Sequence, residues 1–265
     1  DGENINFAIT ADRVREMFPA LLSAELRYGF ALGVEVDMYA PLGRVTEVRK
    51  DSPAARAGIG SGDVIVQLDG KDIGHGFDFH LALVDRKPGE SLKIQFEREG
   101  EKVVAEVELG ELELLEPVAE EGMKNGLQFE GFDGKWDRLP DFDSLEAVAS
   151  GQVEAPTEEA YKTENGENYG LRFRGFLKVP REGLYTLFTS SDDGSRLRIG
   201  KEVVVNNDGL HGVMKSGGLI RLKQGLHPVE VTFFEQGGGE ELEVSWEGPD
   251  LSAQVIPKDA WFRKE

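Results

Sequence analysis

Two polar clusters, one hairpin apart, hold the residues of this sequence that are best suited to bind a cation. Asp192 and Asp193 are adjacent between two runs of alternating polar and apolar residues, and "NNDG" follows at 206–209. Adjacent carboxylates repel each other unless a positive charge lies between them. The same residues also fit two polar turns, with Asp193 paired to Arg196 or Arg198. The sequence leaves both interpretations open.

The composition argues against several classes of function. Lysine and arginine total 30 against 50 aspartates and glutamates, which gives a formal net charge of −20. A protein this acidic repels phosphate backbones and anionic membrane surfaces, so we expect no nucleic-acid partner. Cysteine is absent and there are only 4 histidines, which disfavours a zinc site. No apolar run approaches the ~20 residues that cross a bilayer, so we expect no membrane insertion.

The sequence of 265 residues is long enough for two domains, and its patterning predicts a mainly β fold. Apolar residues three and four positions apart predict a helix near the N-terminus, and Pro88-Gly89 is expected to end a second one. Two-residue alternation predicts short strands elsewhere, which in the second half form an antiparallel β-sandwich. The predicted organisation is an N-terminal strand and helix (1–25), a first domain (26–115), a linker (116–121) and a second domain (122–265).

The stretch "DSPAARAGIGSGDVIVQLDGKDI" at 51–73 has a turn residue at each place where the backbone must reverse. Ser52-Pro53 begins a short helix, Gly58 ends it, and Asp69-Gly70 closes a hairpin. This ordered string resembles the PDZ domains of bacterial and secreted proteases, over about residues 28–109. The resemblance implies a PDZ-type sheet with short helices.

In PDZ domains a ligand strand, often the C-terminus of another polypeptide, adds to a sheet edge, and backbone N–H groups of an apolar-glycine loop hold its carboxylate. The matching loop here is "YGFALGVEV" at 28–36. The resemblance therefore assigns peptide binding to Leu32, Gly33 and Val34, with His80 and Leu83 on the groove wall. The alternative is that Leu32 and Val34 are ordinary core residues and that His80 faces solvent.

The N-terminal stretch "NINFAITADRV" resembles the closing strand of the trypsin-like protease domain of the high-temperature-requirement family. This likeness implies that the sequence follows a serine protease domain in a longer protein, and the start at Asp1 indicates a processed or excised piece. A nucleophile within these 265 residues is not expected. "KSGGL" at 215–219 lacks the usual residues before the serine, so we interpret Ser216 as part of a turn, with no triad formed by His211 and Asp208.

The second half contains "GLQFEGFDGKWDRLPDF", "GLYTLFTSSDDGSRLRIG" and "GLHPVEVTFFEQGGGEELEVSWEGP", in that order. These segments resemble the protective-antigen-type lectin-like domain, a β-sandwich. In its carbohydrate-binding members paired aspartates hold a calcium ion that binds sugar hydroxyls, which implies this role for Asp192 and Asp193. Calcium takes about six to eight oxygen ligands. Asn206, Asn207 and Asp208 are suitable oxygen donors, and we add Asn206 and Asp208 as predicted metal ligands.

We therefore expect a non-catalytic recognition protein that binds peptides or protein C-termini and carbohydrate, and that is secreted, periplasmic or on the cell surface. It would be the C-terminal part of an exported trypsin-like serine protease. The alternative is an interaction scaffold whose β-sandwich binds no sugar. A free-standing enzyme would need a general acid and a general base in one cleft, and acidic residues are too abundant here to select such a pair.

Overall fold

The computed structural model describes residues 23–265. The protein divides into two units between Glu113 and Leu114. The predicted protease-like strand and most of the first predicted helix lie outside the described residues. Among those described, the longest helix has 7 residues, and none is long and apolar enough to cross a membrane.

The first unit contains three helices and eight strands among its described residues. The helices are α1 (Ala24–Tyr28), α2 (Pro53–Arg56) and α3 (Gly76–Ala82). The strands are β1 (Phe30–Ala31), β2 (Val34–Val36), β3 (Gly43–Val48), β4 (Val64–Leu68), β5 (Lys71–Asp72), β6 (Ser91–Arg98), β7 (Glu101–Glu108) and β8 (Gly110–Glu111). A six-stranded sheet has the order β2-β3-β4-β6-β7 with β5 on β4, and β1 pairs with β8.

Local signals in the sequence set the turns around α2. Ser52 caps this helix, because its Oγ accepts the Ala55 N–H at 3.1 Å, and Pro53 occupies the first turn. Gly33 has φ +80°, and a Cβ there would lie 2.3 Å from the Ser52 Cβ. Only glycine lets the loop after β1 pass this close to the start of α2.

Helix α3 is shorter than the sequence predicted. It ends at Ala82, well before Pro88-Gly89. Asp85 follows with φ 64°, a left-handed conformation that an α-helix does not contain. The backbone therefore leaves the helix through turns rather than at the proline.

The second unit is a β-sandwich of two antiparallel sheets. Its strands are β9 (Met123–Asn125), β10 (Leu127–Asp133), β11 (Ala149–Val153), β12 (Tyr169–Val179), β13 (Gly183–Asp192), β14 (Ser195–Ile199), β15 (Glu202–Asn207), β16 (Met214–Leu222), β17 (Gly225–Glu235), β18 (Glu241–Gly248), β19 (Leu251–Val255) and β20 (Trp261–Lys264). Short 3₁₀ helices lie at Phe142–Ser144, Glu158–Ala160 and Lys258–Ala260. One sheet has the order β11-β10-β12-β17-β14-β15, with β20 on β12 and β9 on β20, and the other has the order β16-β13-β18-β19.

The sandwich core is built from alternate residues of both sheets. Tyr185 and Leu187 on β13 and Trp246 on β18 are buried together with Phe173 on β12 and Phe233 on β17. This is the two-residue period that the sequence shows, with one face of each strand apolar. The predicted mainly β, two-domain architecture is confirmed.

The segment predicted as a linker, 116–121, follows the division between the units. Leu115 forms a β-bridge with Leu222, and Val118 forms one with Leu226. Backbone pairing thus attaches this segment to the second unit.

Candidate functional sites

The first candidate site is a groove of about 390 Å³ between β2 and α3. β2 is the edge strand of its sheet and pairs with β3 on one side. Val34 and Val36 line the groove from β2, Phe79 and His80 line it from α3, and Leu83 lies just beyond the helix. The groove therefore combines an open strand edge with a mainly apolar wall.

The backbone of β2 faces this groove. His80 Nε2 lies 2.9 Å from the Val36 carbonyl oxygen, so this carbonyl points toward α3 and away from β3. Backbone groups in an edge strand alternate sides, which places the polar backbone groups of Val34 on the same open side. An added peptide strand would pair with these groups.

A loop with two inward backbone donors closes one end of the groove. The Leu32 and Gly33 N–H groups donate to Glu25 Oε1 at 2.7 and 2.6 Å, and Glu25 Oε2 accepts from Arg49. The Leu32 side chain is fully buried in the core, so only its backbone is available to the groove. Glu25 was not among the sequence-predicted site residues.

The second candidate site is a cluster of three carboxylates at one end of the sandwich. Asp192 ends β13, Asp193 lies in the turn to β14, and Glu235 ends β17; the peptide bond between the two aspartates is cis. One oxygen of each carboxylate lies within 4.8 Å of the others. Asp193 is held in place by the N–H groups of His211 and Gln236, each 3.0 Å from one of its oxygens.

Burial and mutual repulsion dominate the electrostatics of the acidic cluster. Glu235 is fully buried, and neither of its carboxylate oxygens has a hydrogen bond of normal geometry within the described residues. Burial, followed by the Asp193 and Asp192 charges, raises its pKa to about 7, while the nearby Gly237 N–H lowers it slightly. Burial and the Asp193 carboxylate also raise the pKa of Asp192. Three close carboxylates with this electrostatic cost fit a divalent cation.

A buried amide and a close glycine border the cluster. The Asn207 Nδ2 group donates to Ser191 Oγ at 3.1 Å and to the Met214 carbonyl at 2.9 Å, while its Oδ1 has no partner within the described residues. A Cβ on Gly239 would lie 2.9 Å from Asp192 Oδ2. The loop after β17 can therefore lie directly on the Asp192 carboxylate.

Models of two protein families match the two units separately. The PDZ domain model matches residues 31–109, and the PA14 domain model matches residues 131–260. This protein contains a PDZ domain followed by a PA14 domain. The PA14 model covers the sandwich with its acidic cluster, and the PDZ model covers the groove between β2 and α3.

Solved structures with similarity to this protein include several PA14 domains. The PA14 domain of the MpAFP antifreeze protein is 16% identical, with a TM-score of 0.47 over 56% of this chain and 95% of that one. The PA14 sugar-binding domain from an RTX adhesin is 18% identical (TM-score 0.43; 52% and 98% covered). The epithelial adhesin 9 A domain from Candida glabrata, in complex with Galb1-4GlcNAc, is 10% identical (TM-score 0.43; 56% and 94%). No curated protein matches the sequence.

The structure does not bring Asn206 and Asp208 into the acidic cluster of the PA14 domain. Asp208 Oδ1 accepts the Leu139 N–H at 2.7 Å, and its Oδ2 lies 3.3 Å from Arg196 Nη2. Asn206 Oδ1 accepts from Arg196 Nε at 3.4 Å. Both residues are therefore engaged on the arginine side of the hairpin, while Glu235, which the sequence did not indicate, joins Asp192 and Asp193.

Ser216 lies within strand β16 of the PA14 domain, rather than in the turn predicted from the sequence. Its Oγ donates to the Asn206 carbonyl at 3.4 Å. The His211 ring contacts the Gly212 and Asn207 carbonyls, and Asp208 binds Leu139 and Arg196 as described above. Ser216, His211 and Asp208 thus form these hydrogen bonds with other groups and not with one another.

Proposed function

We propose that this protein is a recognition module that binds extended peptides in its PDZ groove and carbohydrate at the acidic cluster of its PA14 domain. Carbohydrate binding is supported mainly by one observation. The carboxylates of Asp192, Asp193 and Glu235 lie close together at the end of the sandwich. The proposal is supported by the resemblance to carbohydrate-binding members of the family, in which paired aspartates hold a calcium ion. The residues present fit this ion, because they offer hard oxygen ligands and concentrated negative charge.

In this proposal Asp192, Asp193 and Glu235 hold the calcium ion. Asn207, whose Nδ2 donates to the Oγ of Ser191 next to Asp192, has a buried side-chain oxygen with no partner among the described residues. When bound, calcium supplies a positive centre that can coordinate sugar hydroxyls. The Gln236 and His211 N–H groups orient Asp193, so its carboxylate is positioned before any ligand arrives.

A glycan array tests the carbohydrate proposal directly. The 265-residue protein, labelled on lysine, is applied in calcium and again in excess chelator, together with Asp193→Asn and Asp208→Asn. We expect calcium-dependent binding to a subset of glycans that Asp193→Asn loses and Asp208→Asn retains. Binding that is equal in chelator, or absent for every glycan, contradicts the proposal and favours a scaffold in which the sandwich binds no sugar.

We also propose that the two modules serve an exported trypsin-like serine protease. The support is the resemblance of "NINFAITADRV" to the closing strand of such a protease domain, together with a PDZ domain directly after it. The coding sequence upstream of Asp1 tests this. A His, an Asp and a Gly-Asn-Ser-Gly-Gly motif there would support the proposal, and a different upstream domain would contradict it.

A further inference from the structure

Glu25 occupies the position at which a PDZ ligand carboxylate is expected. Its Oε1 accepts both the Leu32 and the Gly33 N–H, at 2.7 and 2.6 Å, and its Oε2 accepts from Arg49. The two N–H groups belong to the apolar-glycine loop at 28–36. Hydrogen bonds to an ionised acceptor are about twice as strong as those between neutral groups. The loop is thus already bound to a carboxylate of the same polypeptide.

The fold holds Glu25 in this position from several sides. Ala24 is buried in the core beside it, and α1 ends at Tyr28; the N–H of the next residue, Gly29, donates to the Glu25 carbonyl at 2.9 Å. Strand β1 then pairs with β8 directly after the helix. Arg49 stabilises this position further. Its backbone N–H donates to the Gly33 carbonyl at 2.9 Å, and its guanidinium contacts the Glu25 carboxylate. The contact links three separate parts of the PDZ domain.

A second carboxylate cannot share this loop with Glu25. A ligand C-terminus would compete for the same Leu32 and Gly33 donors, and its charge would lie against the Glu25 charge within a few ångströms. The rest of the groove is different. Val34, Val36, Phe79 and Leu83 still line an open cavity beside the edge of β2.

We infer that Glu25 is an internal substitute for the ligand C-terminus, so that this PDZ groove binds internal extended segments of a partner polypeptide. This inference rests on the proposed peptide binding by the PDZ domain and narrows its ligand class. Such a segment adds to β2 through its backbone and places an apolar side chain against Phe79 and Leu83, without a terminal carboxylate at the loop. Free C-termini enter only when Glu25 leaves the Leu32 and Gly33 N–H groups.

Paired peptide ligands test the inference. A library of peptides is synthesised in two forms, as free acids and as carboxamides, and is applied to the 265-residue protein and to its Glu25→Ala variant. For the unmodified protein we expect acid and amide forms of each hit to bind within about twofold of each other. In Glu25→Ala the acid forms should bind at least about tenfold more tightly than the amides, because the freed N–H pair now accepts the terminal carboxylate.

Two further variants make the comparison specific. Glu106→Ala removes an exposed carboxylate of β7 that does not line the groove and leaves the loop intact, so it should behave like the unmodified protein. Glu25→Gln keeps the size and one acceptor oxygen but no charge, and should give an intermediate preference for acids even if Glu25→Ala folds poorly. A preference for free acids of about tenfold or more in the unmodified protein, unchanged in either Glu25 variant, would overturn the inference.

Acetate separates this inference from the peptide-binding proposal if no peptide binds at all. Titration with sodium acetate should shift the NMR signals of the Leu32 and Gly33 amides in Glu25→Ala and leave them in place in the unmodified protein. This result supports the inference that Glu25 occupies the place of a ligand carboxylate, even without a peptide ligand. Equal acetate shifts in both proteins show that Glu25 does not occupy the loop, which contradicts the inference.

Discussion

The carboxylates of Asp193 and Glu235 lie within 4.8 Å of each other, although they come from a turn and from the end of a different strand. The hydrogen bond from the Gln236 N–H to Asp193 Oδ2 fixes this relationship, because Gln236 directly follows Glu235. The pairing of Ser195 on β14 with Phe233 on β17 brings the two segments together. The register of the sheet thus brings the three carboxylates together. Their mutual repulsion is relieved when a cation binds or when one of them is protonated.

Calcium is expected to stabilise the PA14 domain. A ligand that binds only the folded state at about 100 times its Kd adds about 2.7 kcal/mol, which corresponds to a rise in Tm of roughly 5–10 °C for a domain of this size. All three tryptophans (Trp136, Trp246 and Trp261) lie in residues 114–265, so their fluorescence reports this domain alone. Thermal unfolding with calcium and with chelator measures the shift.

Two aspartate variants assign the calcium effect to the cluster. Asp193→Asn keeps the size of the side chain and removes one charge, so the calcium-dependent shift should vanish. Asp208→Asn removes a charge of the same kind from the arginine side of the hairpin and should keep the full shift. An unmodified protein without any calcium-dependent shift, or loss of the shift in both variants, would refute the site as described.

The sequence predicted the fold more fully than the sites, because strand periodicity and turn residues are local. The paired aspartates were visible as neighbours, but Glu235 reaches them only through the pairing of β14 with β17, which no short pattern contains. Asn206 and Asp208 looked suitable because they are oxygen donors one hairpin away. Strand alternation instead turns them toward Arg196, and it buries Asn207 between them. Glu25 carried no signal at all, since one glutamate among 50 acidic residues has no special spacing from the loop.

Peptidase activity is not expected from this protein. Ser216 Oγ donates to a backbone carbonyl from within a strand, and its hydrogen bond does not lead to a base that could activate it. A fluorescently labelled casein substrate, incubated with the 265-residue protein and with its Ser216→Ala variant, measures this. Turnover above the blank that disappears in Ser216→Ala would contradict the assignment.

The PDZ domain is expected to depend on the contact between Asp63 and Arg98. The buried Asp63 carboxylate accepts from Arg98 Nε and Nη2, both at 2.8 Å, and from the Gly60 N–H at 2.8 Å. The Arg98 hydrogen bonds lower the pKa of Asp63, so its contribution is present above the unfolded pKa and is lost as pH falls through the folded one. Asp63→Asn should cost about 2 kcal/mol at neutral pH.

Calorimetry of the 265-residue protein measures this loss. It is read from the unfolding transition of the PDZ domain, which tryptophan fluorescence does not follow. Glu90→Gln is the control, because it removes a more exposed partner of Arg86 in the same domain and should cost less than about 0.5 kcal/mol. Equal effects of the two substitutions would show that the Asp63 contact does not stabilise the PDZ domain.

The PA14 domain should lose stability with rising pH when calcium is removed. Between the unfolded pKa of Glu235, ~4.3, and its folded pKa of about 7, the folded state holds a proton that the unfolded state has released. Stability therefore falls as pH rises through this window, by about 4 kcal/mol in total. Glu235→Gln should flatten the profile because it has no proton to lose, while Glu243→Gln, an exposed change on β18, should keep it. Urea unfolding followed by tryptophan fluorescence across this pH window gives the three profiles in chelator.

Saturating calcium should also flatten the profile of the unmodified protein, since the cation replaces the proton. A profile of the unmodified protein that rises with pH in chelator would show that Glu235 is ionised without cost, and would remove the electrostatic reason to place a cation there.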